Sequence, residues 1–370
     1  MDMTSLNLSP DQLSFPGLGL NAITVSSTAF TIFGINIAWY GIIIACGMML
    51  AIVFGLSQVK KFGISPDRAT DVILAGIIGG IIGARAYYVL MNLDYYSKDW
   101  KSIFMTRNGG LAIYGGIIGA LLAGLVACRI RKVKVLPMFD VAAMGFFIGQ
   151  SIGRWGNFFN HEAFGKNTDL PWGMTSGRIQ SWITENAGTT KILEGLTPER
   201  AVHPCFLYES IWCLLGFIIL FLVSRKRKFD GQIFLLYIFW YGLGRTFIEG
   251  LRTDSLMLGN IRISQVLACI SSIVAFILLL TIGSKVKRMG EDYVFYKDTE
   301  ESRAIIAADE AAANAKGKNE STAEIEETDA KGSRGDRKAP CNEETEEVEN
   351  VEENSVTEDN KETNENTETN

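Results

Sequence analysis

The chain has 370 residues, 48% of them hydrophobic, with a formal net charge of −6. Two histidines, and six cysteines without a CxxC or other metal-spaced pair, argue against a His-rich metal centre or a disulfide scaffold. Without a P-loop or a G-x-S-x-G elbow, the sequence gives no support to nucleotide-driven chemistry or serine acyl transfer, and no cofactor or nucleic-acid signature stands out. The charge is unevenly divided. From Glu291 onward there are 25 acidic and 9 basic residues, a net of −16, while the part before it carries 16 acidic and 26 basic, a net of +10. A basic apolar body with an acidic polar tail reads as a membrane protein with a solvated appendage.

Residues 1–30 hold no Lys or Arg and lack the basic and short apolar regions of a cleavable signal peptide. A spanning helix needs about twenty mainly apolar residues. Seven segments qualify, so an all-α polytopic membrane protein is expected. The first runs from about Thr31 to Leu56 and contains the triplet Trp39-Tyr40-Gly41. The second, about Asp71 to Met91, has Gly79 and Gly83 at a spacing that lets helices approach closely in lipid, and ends with Arg85 and Tyr88. The third, about Gly109 to Cys128, opens GGLAIYGGIIG and carries Tyr114, Gly115 and Gly119. The fourth starts near Met138, with Asp140 expected to cap a helix or pair with a cation.

That fourth span ends in Gly153 to Gly165, GRWGNFFNHEAFG, which crowds Arg154, Asn157, Asn160, His161 and Glu162 among phenylalanines. Ionisable groups at membrane depth are costly and face a protein interior or a wet cavity, which makes them functional candidates. The three-residue spacing of Arg154, Asn157 and Asn160 puts them on one helical face. Residues 166–202 are too long for a turn and read as a small folded head outside the bilayer. HPCFLYES, His203 to Ser210, leads into a fifth span ending near Ser224. The sixth, about Gly231 to Leu251, ends in a stripe of Tyr241, Arg245, Glu249 and Arg252. The seventh runs from about Ile263 to Ile282. The body therefore ends near residue 290, and residues 291–370 are expected to stay disordered in the cytoplasm.

Dense Lys/Arg clusters follow spans one, three, five and seven, so the positive-inside rule puts those loops and the C-terminus in the cytoplasm and the N-terminus outside. The signature, the head, His203 and the Arg245 end of the sixth span then share the outer side.

The run G-R-x-G-N-F-x-N-x-E-x-x-G, together with WYG, Arg85, the H-P-x-x-L-Y-E pattern from His203 to Glu209 and the Arg245 stripe, resembles the prolipoprotein diacylglyceryl transferases of bacterial plasma membranes. Family members carry His or Tyr at the Tyr114 position, and the Tyr form resembles the Gram-positive branch. The resemblance implies transfer of a diacylglyceryl group from phosphatidylglycerol to the thiol of a lipobox cysteine in a prolipoprotein signal peptide. A thioether forms and glycerol phosphate leaves, the first step of lipoprotein maturation. Arg154 and Arg245 suit the phosphate, because guanidinium stays charged and grips oxyanions bidentately. Asn157, Asn160 and Tyr241 can orient glycerol hydroxyls. The lipid-binding set implied further includes Tyr40, Arg85, Gly165, Glu249 and Arg252. Tyr114, Glu162 and His203 are alternative bases for the thiol, with Glu162 read as orienting Arg154 and Tyr114 as a hydrogen-bonding partner near the thiol. The competing reading is a lipid or solute transporter that uses the same intramembrane arginines.

Overall fold

The computed structural model describes residues 8–105, 109–186, 188–189, 193–255, 257–259 and 261–315. The chain is mostly helical. In order it forms β1 (Gln12–Phe15), β2 (Leu20–Thr24), β3 (Thr28–Ile32), β4 (Ile35–Ala38), α1 (Trp39–Gln58), α2 (Pro66–Met91), α3 (Leu93–Tyr96), α4 (Ile113–Ile130), α5 (Val135–Asn160), β5 (Thr175–Ser176), α6 (Gly177–Asn186), α7 (Cys205–Ser224), α8 (Gln232–Glu249), β6 (Met257–Leu258), β7 (Ile261–Arg262) and α9 (Ile263–Met289). A last helix, α10, covers residues 300–315.

Among the described residues, six helices are long and apolar enough to cross a membrane: α1, α2, α4, α5, α7 and α9. The expected sixth span, α8, falls outside that set because Arg245, Glu249 and its tyrosines dilute a helix of only 18 residues. It nevertheless packs among α5, α7 and α9, where its polar side chains meet protein and not lipid. The first span also starts later than expected. Residues 28–38 form the β3–β4 hairpin, with Ile32 opposite Ile35 and positive φ at both Phe33 and Gly34. A two-residue turn with that conformation matches the twist of paired strands. The apolar run TAFTIFGINIA hides this, since a short apolar stretch has no period that separates strand from helix.

α5 is the central and most buried helix, flanked by α1, α7 and α8. Phe147, Met144 and Val141 of α5 anchor a core that takes in Leu220 of α7 and Ile233 of α8. α7 and α8 are locked by a reciprocal pair: the stacked Trp212 and Trp240 rings each donate their indole N–H to the other's carbonyl, at 2.9 and 3.0 Å. The Trp212 indole occupies the space over Gly244, where any side chain would collide. α2 pairs with α4 through Gly79, Gly83, Gly115 and Gly119, where the two backbones are in contact, and this pair touches α1 only lightly.

Described residues between α5 and α7 form a buried cluster around Met174, Ile179, Ile183 and Val202. The N-terminal segment joins them: β1 pairs with β2 on one side and with β5 on the other. At the other end of the bundle the ordered body extends past residue 290, against the expected boundary. The compact unit runs to Ala313. Tyr296 is buried, Ser302 donates to the Gly63 carbonyl at 2.8 Å, and Asp309 and Glu310 pair with Arg68 and Lys60. The start of the tail holds aromatics and well-placed acids that the composition of the whole tail conceals. The expectation for residues 316–370 lies outside the described residues.

Candidate functional site

α5 delivers Arg154, Asn157 and Asn160 on one face of its last turns, as their spacing requires. Facing them, near the start of α7, is Glu209, whose side chain is 5% exposed in an otherwise apolar helix. Its two oxygens hold three guanidiniums. Arg154 Nη2 lies 2.6 Å from Oε2, and Arg245 Nη1 and Arg252 Nη1 each lie 2.8 Å from Oε1. Arg245 Nη2 sits 2.6 Å from Glu249, one turn away on α8. Arg252 also grips Asp254 with two hydrogen bonds of 2.8 and 2.6 Å. Burial pushes the Asp254 carboxyl up, but the Arg252 hydrogen bonds and charge outweigh it and hold it below its ordinary value. Three guanidiniums and three carboxylates thus form one network.

The expected four-residue stripe is broken. α8 ends at Glu249, and Arg252 lies in the turn beyond it, from which it folds back onto Glu209. That return is fixed by Gly165, which forms a β-bridge with Arg252 and donates its N–H to the His203 carbonyl at 2.8 Å. A methyl at Gly165 would lie 2.8 Å from Cys205 Sγ and 2.9 Å from the Leu251 carbonyl oxygen, so the sequence needs glycine there. Tyr40, at the start of α1, lays its ring over Gly156 of α5, and Trp39 stacks on Phe159. Tyr241 lies one turn before Arg245 and stacks on Tyr237.

The donors left over differ among the three arginines. Arg252 spends Nε and both terminal nitrogens on carboxylates, and Arg245 spends both terminal nitrogens. Arg154 has the most exposed side chain of the three, at 23%, and among the described residues makes, apart from Glu209, one 3.5 Å contact, from Nη1 to Asn157 Oδ1. It is the guanidinium best placed to take an incoming oxyanion. Glu162 does not pair with Arg154. It accepts from Asn157 at 2.9 Å and Asn160 at 3.1 Å, and reaches the arginine only through Asn157. His203 Nδ1 lies 3.1 Å from the Tyr208 hydroxyl, which accepts from the Trp172 indole at 2.8 Å. Burial holds His203 below its ordinary value, so the ring is neutral near pH 7.

Two candidates stand apart from the network. Arg85 is buried and donates to the carbonyls of Ser102, Ile103, Met105, Gly109 and Gly110. It holds a loop together. Tyr114 begins α4, 42% exposed, without a hydrogen bond to the network among the described residues. Glu209 is not among the residues expected at the site from the sequence, although an acid in an apolar helix six residues after His203 is a visible signal.

The profile described as prolipoprotein diacylglyceryl transferase matches residues 27–281. The chain is 43% identical over 259 residues to the phosphatidylglycerol–prolipoprotein diacylglyceryl transferase of Clostridioides difficile, covering 70% of this chain and 96% of that protein. It is 39% identical over 288 residues to the protein of that name from Enterococcus faecalis, covering 77% and 98%. The chain belongs to the prolipoprotein diacylglyceryl transferase family. For this family member, the matched region takes in the whole arginine–carboxylate network and most of α9, and leaves out β1, β2 and α10. Six apolar helices in a membrane-enzyme family make it a multi-pass membrane protein.

Proposed function

We propose that the chain transfers the diacylglyceryl group of phosphatidylglycerol to the thiol of a lipobox cysteine in a prolipoprotein. The carrying observation is the convergence of Arg154, Arg245 and Arg252 on Glu209 at one end of a bundle of lipid-length helices. In the reaction the thiolate sulfur attacks the glyceryl carbon bonded to phosphate oxygen. A C–S bond forms, the C–O bond breaks, and glycerol phosphate leaves with the bonding pair. Arg154 receives the phosphate through its uncommitted donors, and Arg245, fixed by Glu209 and Glu249, adds charge stabilisation as the leaving group develops. Arg252 and Gly165 act through position, joining the turn after α8 to the segment before α7. Asn157 and Asn160, oriented by Glu162, face the glycerol hydroxyls with Tyr241, and Tyr40 borders the lipid beside α5. Neutral His203 is in the state that accepts a thiol proton. Tyr114 lies on the separate α2–α4 pair, so a role for it at the thiol requires the precursor to bridge that pair and the network.

The basic ends of α1, α4, α7 and α9 support, by the positive-inside rule, a cytoplasmic position for that face and an outer position for the arginine network. Purified protein in phosphatidylglycerol vesicles with a lipobox peptide tests the reading by mass spectrometry. A diacylglyceryl adduct on the peptide cysteine is expected, and Arg154→Ala should slow its formation by roughly 10²–10³-fold, as for loss of one donor to a developing oxyanion. Lipid flux without any adduct would favour the transporter reading.

A further inference from the structure

At the end of α7 remote from Glu209, about 22 Å along the helix by its rise per residue, lies a second polar site. A cavity of about 370 Å³ opens there between the end of α1, the end of α7 and the segment after α9. Its lining includes four cations, Lys61, Arg225, Arg227 and Lys297, and no carboxylate. Lys61 donates to Gln58 Oε1 at 2.9 Å, and none of Lys61, Arg225 and Lys297 has a carboxylate partner among the described residues.

Arg227 makes this more than a basic patch. Its side chain is only 6% exposed. The guanidinium carbon sits 3.8 Å from the centre of the Phe62 ring and 5.4 Å from that of Phe295, so two aromatic faces hold it in place. Nη2 is buried, and among the described residues its one acid contact, 3.3 Å to Asp230 Oδ1, lacks hydrogen-bond geometry. The other Asp230 oxygen accepts from the Tyr296 N–H at 2.8 Å. Burial pulls the Arg227 guanidinium below its ordinary value even with that acid beside it. A buried cation whose carboxylate partner is poorly aligned, beside a cavity lined by three more cations, has donor capacity left for a further anion.

We propose that this cavity binds a phosphate-bearing anion, supplied by the head group of an anionic phospholipid or by free phosphate, at a site separate from the arginine–carboxylate network. Arginines held flat against aromatic rings present the planar fork that suits phosphate oxygens, and basic pockets between the ends of membrane helices take up such head groups. Phe295 and Lys297 lie beyond the family match, which stops at residue 281, so this chain completes the pocket with its own C-terminal segment. An anion there would tie that segment to α1 and α7.

The test uses the full chain in neutral detergent. Native mass spectrometry is titrated with phosphatidic acid, which carries phosphate but is not the proposed substrate, against phosphatidylcholine. Thermal unfolding with inorganic phosphate runs in parallel. The comparison variant is Arg225→Gln with Lys297→Gln, two exposed positions outside the proposed transferase site. Arg227→Lys, which keeps the charge and loses the fork, is the second variant. Wild type is expected to prefer phosphatidic acid by about tenfold, the equivalent of one strong charge-assisted contact. Both variants should lose that preference while still forming the peptide adduct in phosphatidylglycerol vesicles. If inorganic phosphate alone stabilises wild type and not the variants, the site stands with free phosphate as its source. A preference that survives in the double variant, or wild type indifferent to both probes, overturns the proposal.

Discussion

Glu209 has two oxygens and three arginines to satisfy, and every other contact in the network follows from that shortage. Arg245 turns its second terminal nitrogen to Glu249 and Arg252 turns its remaining nitrogens to Asp254, and Arg154 is the least committed of the three among the described residues. Removing one partner of a buried ion pair costs roughly 3–5 kcal/mol, because the other charge stays buried. Glu209→Gln is therefore expected to lower the unfolding midpoint in detergent by that order and to abolish adduct formation. Full activity in a stable Glu209→Gln protein would remove Glu209 from its central place. Gly165→Ala tests the neighbouring bridge. Its methyl meets Cys205 and the Leu251 carbonyl, an overpacking cost of about 1–3 kcal/mol. Turnover should fall further than stability, since the strain moves Arg252 and His203 directly; equal losses in unfolding and mass-spectrometric assays would make the site's role purely structural. Arg154 and Arg245 were legible from the sequence because charge in an apolar helix stands out. Glu209 was visible but unranked, since its importance is the number of its partners, and those come from α5, α8 and the turn beyond.

α5 organises the elements around it from both ends. Asp140, fully buried in its second turn, does not cap α5. It accepts from the N–H groups of Gly231 at 2.7 Å and Phe234 at 2.9 Å, capping α8 across the bundle. Loss of such a cap costs about 0.5–2 kcal/mol, so Asp140→Ala should lower stability to that extent in denaturant unfolding. Activity should follow only as far as α8 moves, and an unchanged midpoint would rule out the capping role. At its other end α5 stops at His161, whose left-handed φ of 57° turns the chain and whose Nε2 donates to the Val25 carbonyl at 3.0 Å. His161 and His203 both sit below the ordinary value near 6.5, chiefly through burial, with the Arg178 charge adding at His161. Above that value both states of the chain carry neutral rings and there is no contribution. As pH falls below it, the unfolded chain binds protons that the folded one resists, so stability declines until the folded rings charge. The unfolding midpoint should therefore drop between pH 7 and pH 5, with a shallower slope in His203→Gln. An identical slope in that variant would contradict the assignment.

Across the whole molecule, the network sits in the α5–α7–α8 core, while α2 and α4 form a pair held mainly to each other. Gly79 and Gly119 bring those backbones into contact, and Gly119→Leu should force them apart at about 1–3 kcal/mol or more. Limited proteolysis around α2 and α4 should then speed up, with the α5–α8 core still resistant; uniform cleavage would show the two parts to be one cooperative unit. By itself the sequence determined the membrane-helix class, because burying a backbone in lipid demands long apolar helices, and it marked the charged motifs, because charge there is rare. Only the tertiary structure decided that α8 is a polar helix sheltered by its neighbours, that residues 28–38 pair as strands, and that Arg252 leaves its helix to share Glu209. It also separated Arg85, spent on loop carbonyls, from the arginines of the network. An arginine's spacing shows that it is buried with purpose, but its purpose lies in which oxygens the fold brings to it, and those belong to distant parts of the chain.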